Sequence, residues 1–119
     1  MRGVYLDYAA TTPLDPEVRE AMRAVEEVFG NPSSIHRFGQ EARKVLEEAR
    51  ERVAEALGAR PREVVFTAGG SEADALALLG PALARGRGHV VSTAVERAAV
   101  LGALRLLERL GFSVTLLKP

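Results

Sequence analysis

Apolar side chains recur along this chain at two spacings, and the change between them marks out its elements. Val18, Met22, Val25 and Phe29 lie three or four residues apart, the spacing of one face of an α-helix. Asp15-Pro16 supplies the start: a carboxylate accepts from the free N–H groups of a first turn, and proline's fixed φ suits the first helical position. Gly30-Asn31-Pro32 stops the run. A second stripe of Ala42, Val45, Leu46, Ala49, Val53 and Leu57 predicts a helix from near Phe38 to Gly58, with its opposite face charged. Val4 to Tyr8 reads as a short extended start and Ala9 to Pro13 as a loop. From Glu63 the pattern shifts. Glu63 to Thr67 is β-branched and aromatic and reads as a strand, followed by a turn at 68–72 and a helix through Leu76 and Leu79 to a break at Gly80-Pro81. His89 to Ser92 reads as a second strand, Val100, Leu104 and Leu107 mark another helix, and Phe112 to Leu117 alternates as a third strand. Strands separated by helices of this length imply parallel pairing with helices covering the sheet, an α/β fold.

Composition narrows the class. At 119 residues, 47% hydrophobic and 27% charged, residues 1–119 are expected to form a single soluble domain with a modest core. Sixteen basic residues balance sixteen acidic ones, so no broad basic face is predicted and nucleic acid is not an expected partner. Cysteine is absent, which removes disulfides, zinc thiolates and a cysteine nucleophile from this stretch, and no metal site is read from it. The longest apolar run, Ala75 to Ala84, is interrupted by Gly80 and Pro81 and is too short for a bilayer, so no membrane partner is expected. No apolar stretch ending in a small-residue cleavage site stands near the start, which makes a cytoplasmic address the default.

One local arrangement looks suited to chemistry, the turn at Gly69-Gly70-Ser71 between the predicted strand and helix. Glycines let a backbone approach a ligand closely, and the free N–H groups and dipole of a helix start favour an anion such as phosphate. The Ser71 hydroxyl adds a possible further donor. A plain structural reading stands beside this one: Ser71 with Asp74 three residues on is close to an ordinary capping box, and glycine before a helix often only makes the turn. The spacing matches neither a P-loop nor a dinucleotide fingerprint.

Wider context bears on that choice. Tyr5-Leu6-Asp7-Tyr8-Ala9-Ala10-Thr11-Thr12-Pro13, then the run from Gly30-Asn31-Pro32 through His36-Arg37-Phe38-Gly39, then Val65-Phe66-Thr67-Ala68-Gly69-Gly70-Ser71-Glu72-Ala73-Asp74 resemble cysteine desulfurases of the NifS and IscS kind, in the same order. His89-Val90-Val91-Ser92-Thr93-Ala94-Val95-Glu96 continues the resemblance across essentially the whole chain. The resemblance implies the N-terminal portion of the pyridoxal-phosphate-dependent type I aminotransferase fold, with helices packed on an incomplete, mostly parallel sheet. It implies a parent activity that removes sulfur from L-cysteine, leaving alanine and an enzyme persulfide for iron–sulfur or thio-cofactor assembly. Pyridoxal phosphate is the implied cofactor, with Gly70 and Ser71 corresponding to the pair that holds its phosphate.

The chain also departs from the family pattern. Where members usually read Glu-His-Pro-Ala-Val it has Glu96-Arg97-Ala98-Ala99-Val100. The family histidine stacks on the cofactor ring and helps proton transfer; Arg97 retains a planar group for stacking but is no base near neutral pH. Ala75 stands where asparagine is frequent. The two lysines, Lys44 and Lys118, lie outside the family's cofactor-lysine motif, which belongs far downstream, as do the persulfide cysteine, the aspartate facing the pyridine nitrogen and the substrate-carboxylate arginine. No catalytic residue is therefore assigned, and this chain alone is expected to be inactive. It reads either as a segment of an enzyme or as a shortened, non-catalytic relative serving as a binding module. In the type I fold later strands fill the space beside the strand at 63–67, so the expected partners are a second copy, a missing C-terminal chain, or a sheet rearranged within this one.

Overall fold

The computed structural model describes residues 3–119, and they fall into two compact units, one up to Val64 and one from Val65 on. In the first unit, helix α1 spans Pro16–Glu26. Asp15 caps it as its sequence predicts, a carboxylate oxygen accepting from the Glu17 N–H at 2.8 Å. The helix ends short of Phe29, and none of its residues is buried. Helix α2 spans Arg37–Leu57 and buries Gly39 and Ala54. His36 caps its start, the ring Nδ1 accepting from the Gly39 N–H at 3.3 Å. Gly58 closes its end in the left-handed region, so that the Ala59 N–H reaches back to the Ala54 carbonyl at 2.8 Å.

The segment from Gly30 to Gly39 folds tightly back on itself. Asn31 binds the Ser33 N–H through its side chain at 2.9 Å and the Ser34 N–H through its carbonyl at 2.9 Å. A Cβ on Gly39 would sit 2.7 Å from the Asn31 carbonyl oxygen and closer still to that of Ser34, and one on Gly30 would collide with the Phe38 carbonyl. The chain leaves α1 before Phe29 and makes this close approach instead. Downstream, Arg50 donates to the Val64 carbonyl at 2.6 Å. The 3-10 turn Pro61–Glu63 is clasped by Arg60 and Glu63, whose side chains pair while the Arg60 N–H donates to Glu63 at 2.8 Å. The pairing with Arg60 holds the Glu63 carboxyl below the usual carboxylate range. Its contribution is thus present above that range and lost as pH falls through the lowered value.

The second unit begins at residue 65. Helix α3 spans Gly70–Arg85, strand β1 His89–Thr93, helix α4 Ala98–Arg109 and strand β2 Ser113–Leu117. β1 and β2 pair in parallel, His89 opposite Ser113 through Thr93 opposite Leu117. The ladder is extended at both ends by Ser113 N–H to Gly88 and Ala94 N–H to Leu117. α4 is the crossover between them. Its apolar face buries Ala103, Leu104 and Leu107, each leucine contributing about 1.5–3 kcal/mol by removal from water. The turn into β2 is a Schellman closure: Gly111 at φ 88° allows the Phe112 N–H to reach the Leu107 carbonyl at 3.0 Å, and both side chains are buried together.

Two elements differ from their sequence reading. The predicted strand Glu63–Thr67 is not one: Glu63 ends the 3-10 turn, and residues 64–67 belong to no sheet. Val64 does have extended dihedrals, φ −96° and ψ 124°. A strand, however, needs a ladder, and among the described residues the sheet consists of β1 and β2 alone. A sheet rearranged to take in this segment is therefore not what forms. The helix predicted to break at Gly80-Pro81 continues through both to Arg85. Proline inside a helix removes one N–H donor, and packing of α3 against α4 outweighs that loss.

The Gly30–Gly39 closure yields a test. Gly39→Ala should lower the thermal midpoint strongly, by the equivalent of about 1–3 kcal/mol for overpacking a closed site, whereas Gly3→Ala, which meets open space, should leave it unchanged.

Candidate functional site

The link 86–88 joins α3, which packs against α4, to the start of β1, and the chain leaves β1 from its carboxyl end. α4 starts from that same end, after the loop 94–97. Ligands of open parallel α/β sheets bind outside the carboxyl ends of the strands, and here the N-terminus of α4, at Ala98, follows that end of β1.

The turn into α3 is built from few parts. Gly69 is the N-cap and has no side chain to cap with, so the N–H groups of the first turn keep their outward donors. The Gly69 carbonyl accepts from Ala73 N–H at 3.1 Å, which opens the helix, and from the Thr67 hydroxyl at 3.2 Å. Glu72 reaches back four residues, one carboxylate oxygen accepting from the Ala68 N–H at 2.7 Å. Ser71 stands at the second helical position, not at the cap, so the Ser71–Asp74 capping box does not form. Its place is taken by the Glu72–Ala68 bond, which no capping pattern in the sequence indicates.

No neighbour lies within 4 Å of a Cβ built on Gly69 or Gly70. The Gly69 φ of 169° is ordinary extended backbone, and Gly70 is already helical. Nothing inside the chain therefore calls for glycine at either position, and the open space over them lies beside the free donors of the turn. This arrangement fits a phosphate monoester: backbone N–H groups at a helix start, an exposed serine hydroxyl and clearance for close approach.

Arg97 is the N-cap of α4, exposed, with no side-chain capping bond. It follows the carboxyl end of β1, at the start of the helix that packs against α3. Beside it, Thr93 donates to the Glu96 carboxylate at 2.9 Å and fixes the loop that carries it. The two histidines have structural partners: His36 caps α2, and His89 Nε2 lies 2.8 Å from the Thr115 hydroxyl across the β1–β2 ladder. Lys44 faces solvent with Glu48 at 3.8 Å. Among the described residues, no group of acidic or histidine side chains is placed to hold a metal, and no helix is long and apolar enough to cross a membrane.

Gly70→Ala separates the two readings of the turn. Removing a glycine from a helix without crowding its surroundings should hold or raise the thermal midpoint, while the added methyl group should weaken phosphate binding several-fold as measured by amide shifts.

Comparison with known proteins places this geometry among its relatives. The family model for Aminotransferase class-V matches residues 4–119. The chain is 52% identical to the cysteine desulfurase IscS of Dictyoglomus turgidum and 47% identical to that of Proteus mirabilis, in each case over 98% of its own length and 30% of the relative's. Among solved structures it is similar to SspA in complex with cysteine, at 42% identity and a TM-score of 0.85 over 97% of this chain and 34% of that one. A NifS-like protein is similar at 36% identity and a TM-score of 0.81, over 95% and 32%. The chain thus spans about a third of the length of the relatives it matches.

Proposed function

Because the chain belongs to the class-V aminotransferase family, we propose that it supplies the phosphate-anchoring portion of a pyridoxal-phosphate-dependent cysteine desulfurase acting on L-cysteine in the cytoplasm. Its fold is the N-terminal part of the type I aminotransferase fold, with helices on an incomplete parallel sheet. The observation that carries the reading is the turn at Gly69-Gly70-Ser71, whose glycines answer no internal demand and whose donors face open space.

When bound, pyridoxal phosphate supplies the electron sink for cleaving the substrate's carbon–sulfur bond. This chain's residues bind and orient. Gly70 and Ser71 N–H groups and the Ser71 hydroxyl hold the phosphate, and the positive end of α3 favours its charge. Arg97, exposed at the start of α4, would offer its planar guanidinium for stacking on the ring. A guanidinium donates hydrogen bonds and accepts none, so it is no proton acceptor.

The surface supports a role within a larger assembly. The chain exposes 10044 Å². A compact monomer of its mass would expose about 6,300 Å², and two separate compact globules of half that mass about 7,600 Å² together. Whatever the arrangement of its units, at least about 2,000 Å² is left for partners to cover. The partner proposed is further polypeptide of the family kind, from a second copy or a C-terminal portion, and the outer edges of β1 and β2 are open to it. A second reading, a non-catalytic binding module, draws on Arg97 standing where relatives of the family carry histidine.

Titrating the labelled chain with inorganic phosphate and with pyridoxal phosphate tests the anchor. Amides of Gly70 and Ser71 should shift at millimolar ligand; unmoved amides there would count against it. The chain by itself should release no sulfide from cysteine. Borohydride trapping with pyridoxal phosphate should label its exposed amines without preference, because neither Lys44 nor Lys118 has a setting that activates it. Stoichiometric trapping at one lysine together with turnover would overturn the anchoring role in favour of a self-sufficient site.

A further inference from the structure

Glu72 makes a bond that the reading of the anchor does not use. Its carboxylate accepts from the Ala68 N–H at 2.7 Å, four residues back and on the far side of both glycines. The Thr67 hydroxyl also ties this turn, donating to the Gly69 carbonyl at 3.2 Å. Gly69 and Gly70 carry no side chain and no atom lies within 4 Å of where a Cβ would stand, so the backbone most able to wander is the backbone that must present the donors. Glu72 spans that stretch like a strap. It also places a negative charge in the first turn of α3, where the helix dipole favours it and where it repels any incoming anion.

We propose that Glu72 is a positioning residue of the anchor: its bond to the Ala68 amide holds the glycine turn in its donor-presenting form, while its charge limits how tightly phosphate is retained. The proposal rests on reading Gly70 and Ser71 as a phosphate site. The two effects oppose each other and separate by substitution. Glu72→Gln keeps an acceptor of the same length and removes the charge. Glu72→Asp keeps the charge but is one methylene too short to span the turn. Glu72→Ala removes both.

The test uses the 119-residue chain with inorganic phosphate as probe, read by Gly70 and Ser71 amide shifts, and hydrogen exchange at the Ala68 amide without ligand. Glu72→Gln should bind phosphate about threefold more tightly than the parent, since a divalent anion a few ångströms from an exposed carboxylate loses that repulsion in screened water. Glu72→Ala should bind about fivefold more weakly than Glu72→Gln, the loss of one hydrogen bond holding the turn. Glu72→Asp should be the weakest of the four. Ala68 exchange should be slow in the parent and in Glu72→Gln and about tenfold faster in the other two. Equal affinities for the Gln and Ala variants, or Ala68 exchange that ignores the substitution, would overturn the positioning role. If phosphate shifts no amide in any variant, the anchor reading fails and the charge effect with it, while the exchange pattern still decides whether Glu72 holds the turn. Unchanged methyl shifts of the buried Leu104 and Leu107 show that each variant has kept its core.

Discussion

The parallel pairing of β1 with β2 governs the arrangement of the second unit. Parallel strands that follow one another in sequence need a crossover, and α4 provides it in 12 residues. To lie along the sheet the helix must bury one face, which Ala103, Leu104 and Leu107 do, and it must then release the chain into β2 without delay. Gly111 makes that release, bringing Phe112 onto Leu107 as the turn closes. Once this crossover is set, the start of α4 stands at the carboxyl edge of the sheet. α3, joined to the opposite end of β1, packs against α4. The candidate turn owes its free donors to the start of α3.

Legibility in the sequence followed the range of the interaction concerned. Asp15-Pro16, the Gly58 stop and the stripe from Phe38 to Leu57 are local signals, and α2 and the start of α1 form within a residue or two of the expected bounds, while α1 ends three residues short of Phe29. The crossover was legible too, because helix periodicity between two β-branched runs leaves little else to build. Residues 64–67 failed for a physical reason: β propensity describes how a segment suits a ladder, and the ladder must come from elsewhere. Pro81 misled in the opposite sense, since a local penalty yielded to the packing of α3 on α4. In the candidate turn, Gly70 and Ser71 are singled out in the sequence both by the glycines before a helix and by the family resemblance. Glu72 is not, because its bond runs backward to Ala68, outside the three-residue spacing of a capping box.

The first unit shows the same distinction between pattern and burial. The stripe Val18, Met22 and Val25 is amphipathic as read, and α1 forms, yet the unit leaves those side chains about half exposed. An apolar stripe records a surface that packs somewhere, and it does not say that the partner is in the same stretch of chain. The chain exposes more area than two separate compact globules of its mass would, and these half-exposed stripes are part of that surface.

Glycines separate structural from functional demands most clearly. Gly30 and Gly39 are fixed by the chain's own backbone: a single methyl group at either would strike a carbonyl oxygen. Gly111 is fixed by its dihedrals. Gly69 and Gly70 meet neither demand, since their conformations are open to any residue and the space above them is clear. Alanine at either position would restrict the unfolded chain more and fold at least as well. A position where the fold gains nothing from glycine, at the start of a helix whose first donors are uncapped, is what the proposed phosphate anchor would call for. The same absence of internal support creates a need for restraint, which Thr67 meets from the segment before the turn and Glu72 from the helix side. Clearance for a ligand and order in the backbone that receives it are competing requirements, and in this turn they fall to different residues.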